Sequence, residues 1–326
     1  MRVFVAGASG AIGRRLVPQL VAAGHEVIGT YVSAGHDQRI RALGAEAVAL
    51  DVLDAPAVRR AVAAAHPDAV IHEATALANM KWSRNMDRSF ARTNRLRTEG
   101  TDALLAAARE AGVRRFVAQS FASYRYAREG SWVKTEDDPL DPAPPPAARE
   151  TNAAMAHLDE AVTAAGGIAL RYGGFYGPDE DGFASMVRKR QYPIVGDGAG
   201  VTSWIHLDDA AAATVLALRH DRPAIYHIVD DEPAPMREWL PVFAQVLGAK
   251  RPWRVPRWLA ELVAGSAMTA MATQSRGADN ARAKKELGWT LRYPSWRQGF
   301  VAAYGPATRA ARPGAAGEAR SAGSAE

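Results

Sequence analysis

Val3-Phe4-Val5-Ala6-Gly7-Ala8-Ser9-Gly10-Ala11-Ile12-Gly13 runs from a short apolar strand pattern, through a turn punctuated by glycine, into the start of a helical pattern. Each glycine answers a separate steric need. Gly7 permits the tight turn off the strand, Gly10 lets a pyrophosphate approach the backbone, and Gly13 lets the helix pack against a sheet. A helix that starts at such a turn offers unpaired N–H groups and positive potential to an anion. Gly7, Ser9, Gly10, Ala11, Ile12 and Gly13 are therefore the candidate residues for a dinucleotide phosphate.

Working outward, β-rich runs alternate with helical ones over the first 120 residues. Strands are expected at Val3–Ala6, Glu26–Tyr31, Ala47–Leu50, Ala69–His72 and Arg115–Gln119. Helices are expected at Ile12–Ala23, Gln38–Leu43, Ala55–Ala65 and in a long piece around Asn94–Ala111, with Pro18 bending the first or costing it one backbone bond. Alternation of this kind specifies an α/β fold: a doubly wound parallel sheet, or Rossmann fold, covered on both faces. Asp137–Pro146 carries five prolines in ten residues and reads as a surface loop before a helix at Arg149–Ala164. A further strand is expected at Ile168–Arg171. Six of the eight tryptophans fall after residue 200. They point to a smaller, discontinuous C-terminal substrate lobe over 172–201 and 230–306, with the dinucleotide domain over 1–171 and 202–229. Residues 307–326, rich in Ala, Gly, Arg and Ser, are expected to be a disordered tail.

The chain has 326 residues, 48% of them hydrophobic and 23% charged, which excludes fibrous and wholly disordered classes. It contains no cysteine, so disulfides, cysteine nucleophiles, Fe–S clusters and thiolate zinc sites are excluded. The net charge of +5 is a mild excess, suited to an anionic ligand and too small to mark nucleic-acid binding by itself. Arg2 is followed at once by strand-like residues, without the apolar run of a signal peptide. The longest apolar stretch, Trp258–Ala272, contains Glu261 and is shorter than the roughly 20 residues a bilayer requires. It reads as a buried or lid helix, and the protein as cytoplasmic with neither membrane nor nucleic-acid partner.

The GxxGxxG spacing resembles the extended short-chain dehydrogenase/reductase family, and more of that family's marks follow in order. They include Asp51, Val70-Ile71-His72-Glu73-Ala74-Thr75, Gly100-Thr101 with Leu104-Leu105, Thr135–Leu140, Phe175-Tyr176-Gly177-Pro178, Trp204–Asp209, and Asn280 with Lys284–Trp289. The likeness extends from residue 1 to about 304. It implies a nicotinamide cofactor held by the glycine loop together with Asp51, Val52, Ala74, Thr75, Ala76, Asn94 and Tyr172. It also implies a homodimer through the helices near 94–111 and 149–164. His206 with Asp208 and Asp209 matches a family loop better than a ligand set, so no metal is expected. A carboxylate at the end of the second strand would bind a ribose 2′-OH and select NAD. Thr30-Tyr31-Val32-Ser33 has none, and Ser33, His36 and Arg39 are either contacts for a 2′-phosphate or merely exposed residues. NADP is expected ahead of NAD.

The family's proton chemistry uses a Ser or Thr after the fifth strand and a Tyr-x-x-x-Lys on the next helix. Ser120 stands at the serine position, either as that residue or as a strand-end hydroxyl bonded to nearby backbone. Aligned through Leu158 and Asp159, however, the tyrosine position holds Thr151 and the lysine position Met155, and no Tyr-x-x-x-Lys occurs anywhere in the chain. Threonine is a far weaker acid than tyrosine, and methionine carries no charge to activate it. Tyr124, Tyr126 and Lys134 follow strand five, and Tyr124 is the first candidate for a relocated acid. His157 lies about 200° round the helix from the lysine position and reads as a packing or dimer-face residue. The basic run Lys81, Arg84, Arg88, Arg92, Arg95 and Arg97 is either a solvated face or an anchor for a substrate carboxylate or phosphate. Two classes of function follow. One is an NAD(P)-dependent oxidoreductase or epimerase-like enzyme with a non-standard proton donor, acting on a small, possibly anionic, carbonyl or hydroxyl compound. The other is a cofactor-binding protein without redox turnover, or an enzyme of elimination or cyclisation.

Overall fold

The computed structural model describes residues 1–78, 80, 83–123, 125–178, 181–306 and 308. Tyr124, Lys81 and most of 307–326 lie outside the described residues. Seven parallel strands form the central sheet: β1 (Arg2–Ala6), β2 (Glu26–Tyr31), β3 (Glu46–Ala49), β4 (Ala69–His72), β5 (Arg115–Phe121), β6 (Ile168–Tyr172) and β7 (Ala224–Ile228), in the spatial order β7-β6-β5-β4-β1-β2-β3. The chain turns back between β1 and β4, and the strand ends there form the crevice in which open α/β sheets bind ligands.

Alternation along β1 assigns its two faces. Val3 and Val5 pack with Leu16, Val17 and Leu20 of α1 (Gly13–Ala22), while Phe4 packs with Val58 and Val62 of α3 (Ala55–Ala65). Leu158 and Val162 of α6 (Arg149–Ala164) extend the second layer. α2 (His36–Ala42) crosses between β2 and β3. α1 continues through Pro18.

Two helical expectations change. The long helix begins earlier than Asn94, as α4 (Met86–Arg95), because the Asn85 side chain accepts from Arg88 N at 3.0 Å and caps it. It then passes through a π-helical turn at Leu96–Gly100 into α5 (Thr101–Glu110). The apolar stretch Trp258–Ala272 is two helices rather than one, and it is not wholly buried: Trp258 is 68% exposed. Before it come α7 (Asp181–Arg188), α8 (Leu207–Ala217) and α9 (Met236–Val246). The two helices are α10 (Arg257–Ala264) and α11 (Ser266–Gln274), separated by Gly265 at φ +87°. The last two are α12 (Ala281–Leu287) and α13 (Trp296–Tyr304). A separate aromatic core joins Tyr176, Trp204, Trp239, Phe243, Trp296 and Phe300 beside the sheet.

Candidate functional site

Two glycines of the loop meet the steric needs read from their spacing. Gly7 adopts φ +90°, and a Cβ there would lie 2.7 Å from both Ala74 N and Glu73 C. The turns after β1 and β4 touch only because residue 7 is glycine. At Gly13 a Cβ would sit 2.4 Å from Ala8 O, so that glycine sets the approach of α1. Gly10 differs: a Cβ would meet only Gly7 O, at 3.2 Å, and would otherwise point into open space. The following helix begins at Ile12 without a side-chain cap and without an acidic residue in its first turn. An exposed glycine turn facing a helix N-terminus with no side-chain cap is suited to a pyrophosphate.

The rim around this cradle is held by hydrogen bonds. Ala74 N donates to His72 Nδ1 at 3.3 Å, and Ala76 N donates to Thr93 Oγ1 at 3.1 Å. Burial pushes His72 down to about 4, so the ring is neutral and its Nε2–H donates to Leu96 O at 3.1 Å. Thr75 is half-buried on the same rim. Asp51 accepts from Leu53 N at 3.1 Å and pairs with Arg92 at 2.8 Å, and Val52 is buried beneath it. Ser33 and Arg39 are exposed beyond β2. Tyr172 supports the cradle from within: it is fully buried, and its hydroxyl donates to Glu73 Oε1 at 3.0 Å and contacts Thr214 Oγ1 at 2.6 Å. Burial raises the Glu73 carboxyl to about 8, with the Tyr172 hydrogen bond opposing.

At the other end of the crevice, the positions for tyrosine and lysine are both fully buried. Thr151 Oγ1 donates to Asp87 Oδ1 at 2.7 Å and accepts from Asn94 Nδ2 at 3.1 Å. Asp87 also accepts from the backbone N–H groups of Glu150 and Thr151, at 3.1 and 2.8 Å, so it caps the first turn of α6. The Thr151 proton is therefore committed to a structural carboxylate, and Met155 packs as an apolar side chain. Asn94, read from the resemblance as a cofactor residue, donates its amide N–H to Thr151 Oγ1.

Ser120 is 1% exposed, and its Oγ accepts from Arg125 Nη1 at 3.1 Å. From there a buried ionic chain extends inward. Arg125 Nη2 and Arg171 Nη2 each lie 2.8 Å from Asp159 Oδ2. Arg171 Nη1 donates to Tyr126 Oη at 2.8 Å, and Tyr126 in turn contacts His227 Nε2. Burial lowers His227 to about 3, which leaves its ring neutral. Its Nδ1–H then donates to Asp279 O at 3.0 Å, and Nε2 accepts the Tyr126 proton. Tyr126 is thus held in a buried network, while Lys134 Nζ is taken by Asp138 at 3.1 Å and Glu129 O at 2.8 Å. Reading along the chain missed the Arg125–Asp159–Arg171 cluster. Its one signal is a charge inside an apolar strand, Arg171 in Ile168–Tyr172.

The basic run divides by role. Arg95 makes a forked pair with Glu99 at 2.8 and 2.7 Å, Arg92 serves Asp51, and Arg97 is buried. His157 pairs with Asp102 at 2.8 Å on the outer face of α6. His206 Nδ1 accepts from Asp208 N at 3.1 Å to cap α8, and Asp209 accepts from Arg292 N and Tyr293 N, at 2.8 and 2.9 Å. These are structural roles. No helix among the described residues is long and apolar enough to cross a membrane.

Comparisons with known proteins agree with this geometry. The NAD dependent epimerase/dehydratase family matches residues 3–229. A 3-diazoavenalumate denitrifying reductase of a Streptomyces species is 44% identical over 309 residues, covering 92% of this chain and 99% of the relative. The UDP-glucose 4-epimerase of Thermotoga maritima, solved with UDP-glucose, superposes with a TM-score of 0.75 at 20% identity, covering 93% of this chain and 97% of that one. The dTDP-glucose 4,6-dehydratase of Streptomyces venezuelae, solved with NAD, gives 0.72 at 25% identity, covering 93% and 96%. Reductases and epimerases of small molecules thus surround the chain, and the fold of the solved structures is the one described above. With its glycine cradle at the β1/β4 switch point and its parallel seven-stranded sheet, the chain belongs to the NAD dependent epimerase/dehydratase family, within the extended short-chain dehydrogenases/reductases.

Proposed function

We propose that this protein is a nicotinamide-dependent reductase that replaces a diazonium group by hydrogen and releases dinitrogen. The observation that carries the reading is the state of the two α6 positions. Thr151 gives its proton to Asp87, and Met155 is fully buried and uncharged, in a chain 44% identical to a denitrifying reductase. Hydride addition to a carbonyl creates an alkoxide, which needs an acid near the site. A diazonium group already carries the positive charge, and its C–N bond breaks with the electron pair leaving as neutral N2 while hydride bonds to the carbon. The balance is R–N2⁺ + H⁻ → R–H + N2, with no proton consumed. Loss of the Tyr/Lys pair is then no handicap.

The residues that would hold the cofactor are the glycine loop 7–13, Asp51 and Val52, and the rim Ala74–Ala76. When bound in its reduced form, the group supplies the hydride. The chain's own part is to place the acceptor. Ser120 accepts a hydrogen bond from Arg125, which orients its own hydroxyl hydrogen away from the guanidinium. The stretches 172–201 and 230–306 would choose the substrate. NADPH is preferred over NADH because the end of β2 lacks a carboxylate and Ser33 and Arg39 are exposed there. A homodimer through the helices near 94–111 and 149–164 is part of this reading, and size-exclusion chromatography with light scattering should give twice the chain mass.

The test supplies NADPH deuterated at nicotinamide C4 and an aryl diazonium carboxylate, with heat-denatured protein as the control for spontaneous reduction. Deuterium at the former diazo carbon, with stoichiometric N2, is expected only with native protein. Equal rates in the control, or turnover of ketones in place of the diazonium, would overturn the reading.

A further inference from the structure

A cavity of about 560 Å³ opens where α10 and α11 face the strand pair formed by Ile194–Val195 and Arg254–Val255. This is the size range of sites for small organic ligands. Its wall is apolar and soft, with four methionines (Met186, Met236, Met268 and Met271) beside Leu259 and Trp253. Among the described residues that line it, the single charged side chain is Arg84. Methionine adapts to irregular shapes and makes favourable contacts with aromatic rings.

Arg84 is fixed in place rather than waving in solvent. Its Nε donates to Val263 O at 3.0 Å, at the end of α10. The next turn, Gly265, presses on its backbone: a Cβ at Gly265 would lie 2.6 Å from Arg84 O and 3.3 Å from Arg84 Cβ. One guanidinium edge is thereby anchored, and the two terminal amino groups remain the pair that matches a carboxylate. Met271 lines this cavity and also a small pocket that Tyr126 and Asn152 line, Asn152 being the neighbour of Thr151 on its helix.

We infer that this cavity binds the substrate as a hydrophobic aryl carboxylate, with the carboxylate on Arg84 and the ring among the methionines. The inference rests on the reductase reading and deepens it by naming the substrate class. A sugar nucleotide fits poorly, because two phosphates and a sugar need several cations and hydrogen-bonding groups to replace their water. One arginine in an apolar wall suits a monoanion with an apolar body.

The experiment is calorimetric titration of the whole chain with cinnamate, cinnamamide and UDP-glucose. Cinnamate should bind at least about tenfold more tightly than its amide, which is the range of one charge-assisted pair. Arg84→Gln, at an exposed position, should reduce cinnamate to the affinity of the amide while leaving the melting temperature unchanged. Met268→Trp, which takes up part of the cavity, should weaken both. Equal binding of acid and amide, an unchanged affinity in Arg84→Gln, absence of cinnamate binding, or tighter binding of UDP-glucose would each overturn the inference. These probes carry no diazo group, so the two readings fail separately. Binding without diazonium turnover removes only the reductase reading. Turnover whose KM ignores Arg84→Gln removes only the substrate class.

Discussion

Thr151→Val separates a structural threonine from a catalytic one. The substitution keeps the shape and deletes only the hydroxyl. Asp87 loses one donor at 2.7 Å but retains the Thr151 and Glu150 backbone N–H groups at 2.8 and 3.1 Å. Asn94 Nδ2 loses its acceptor at 3.1 Å, in a side chain that is 8% exposed. One hydrogen bond to a charged group and one newly orphaned amide together cost about 2–4 kcal/mol. For a chain of 326 residues that is a fall in melting temperature of roughly 3–6 °C. Turnover is expected to change by less than about threefold, since losing a true general acid costs roughly 10²–10⁴ in rate. Differential scanning fluorimetry and steady-state kinetics across pH read both quantities on one preparation. A variant that melts like the parent but turns over a hundredfold more slowly would refute the structural role of Thr151, and with it the argument that no proton donor is needed.

Other expectations follow from single residues. Gly10→Val puts a branched side chain above the loop with Gly7 O, 3.2 Å from its Cβ, as the close neighbour, so stability should fall only slightly while NADPH binding weakens at least tenfold by fluorescence titration. Arg39→Gln should raise the Kd for NADPH severalfold and leave that for NADH unchanged, if Arg39 meets a 2′-phosphate. Glu73 is protonated in the fold up to about pH 8 but ionises in the unfolded chain near 4.5. Folding therefore binds a proton between those values, and this residue's contribution is full below pH 4.5 and lost as pH rises towards 8. Glu73→Gln mimics the neutral acid, so it should match the parent at pH 4.5 and exceed it by about 3–5 kcal/mol at pH 8.5 in urea titrations. A constant difference between the two proteins across pH would show that Glu73 does not titrate there.

The sheet and its cofactor cradle were readable along the chain because their determinants are local. Strand alternation and the spacing of Gly7, Gly10 and Gly13 act within one turn, and the missing Tyr-x-x-x-Lys is a matter of identity at fixed positions. Helix ends were less readable: the Asn85 cap and the break at Gly265 depend on single side chains or backbone angles within otherwise helical patterns. What Thr151 does instead of acid chemistry is decided by Asp87, 64 residues away, and by Asn94, 57 residues away. Arg125, Asp159 and Arg171 become one buried charge cluster only when β5, α6 and β6 are packed together. Arg84 becomes the one described cation of an apolar cavity only because α10 ends against it, 179 residues later in the chain. Local sterics write the nucleotide loop into the sequence. Burial and charge pairing belong to segments distant along the chain, so only the tertiary structure could decide them.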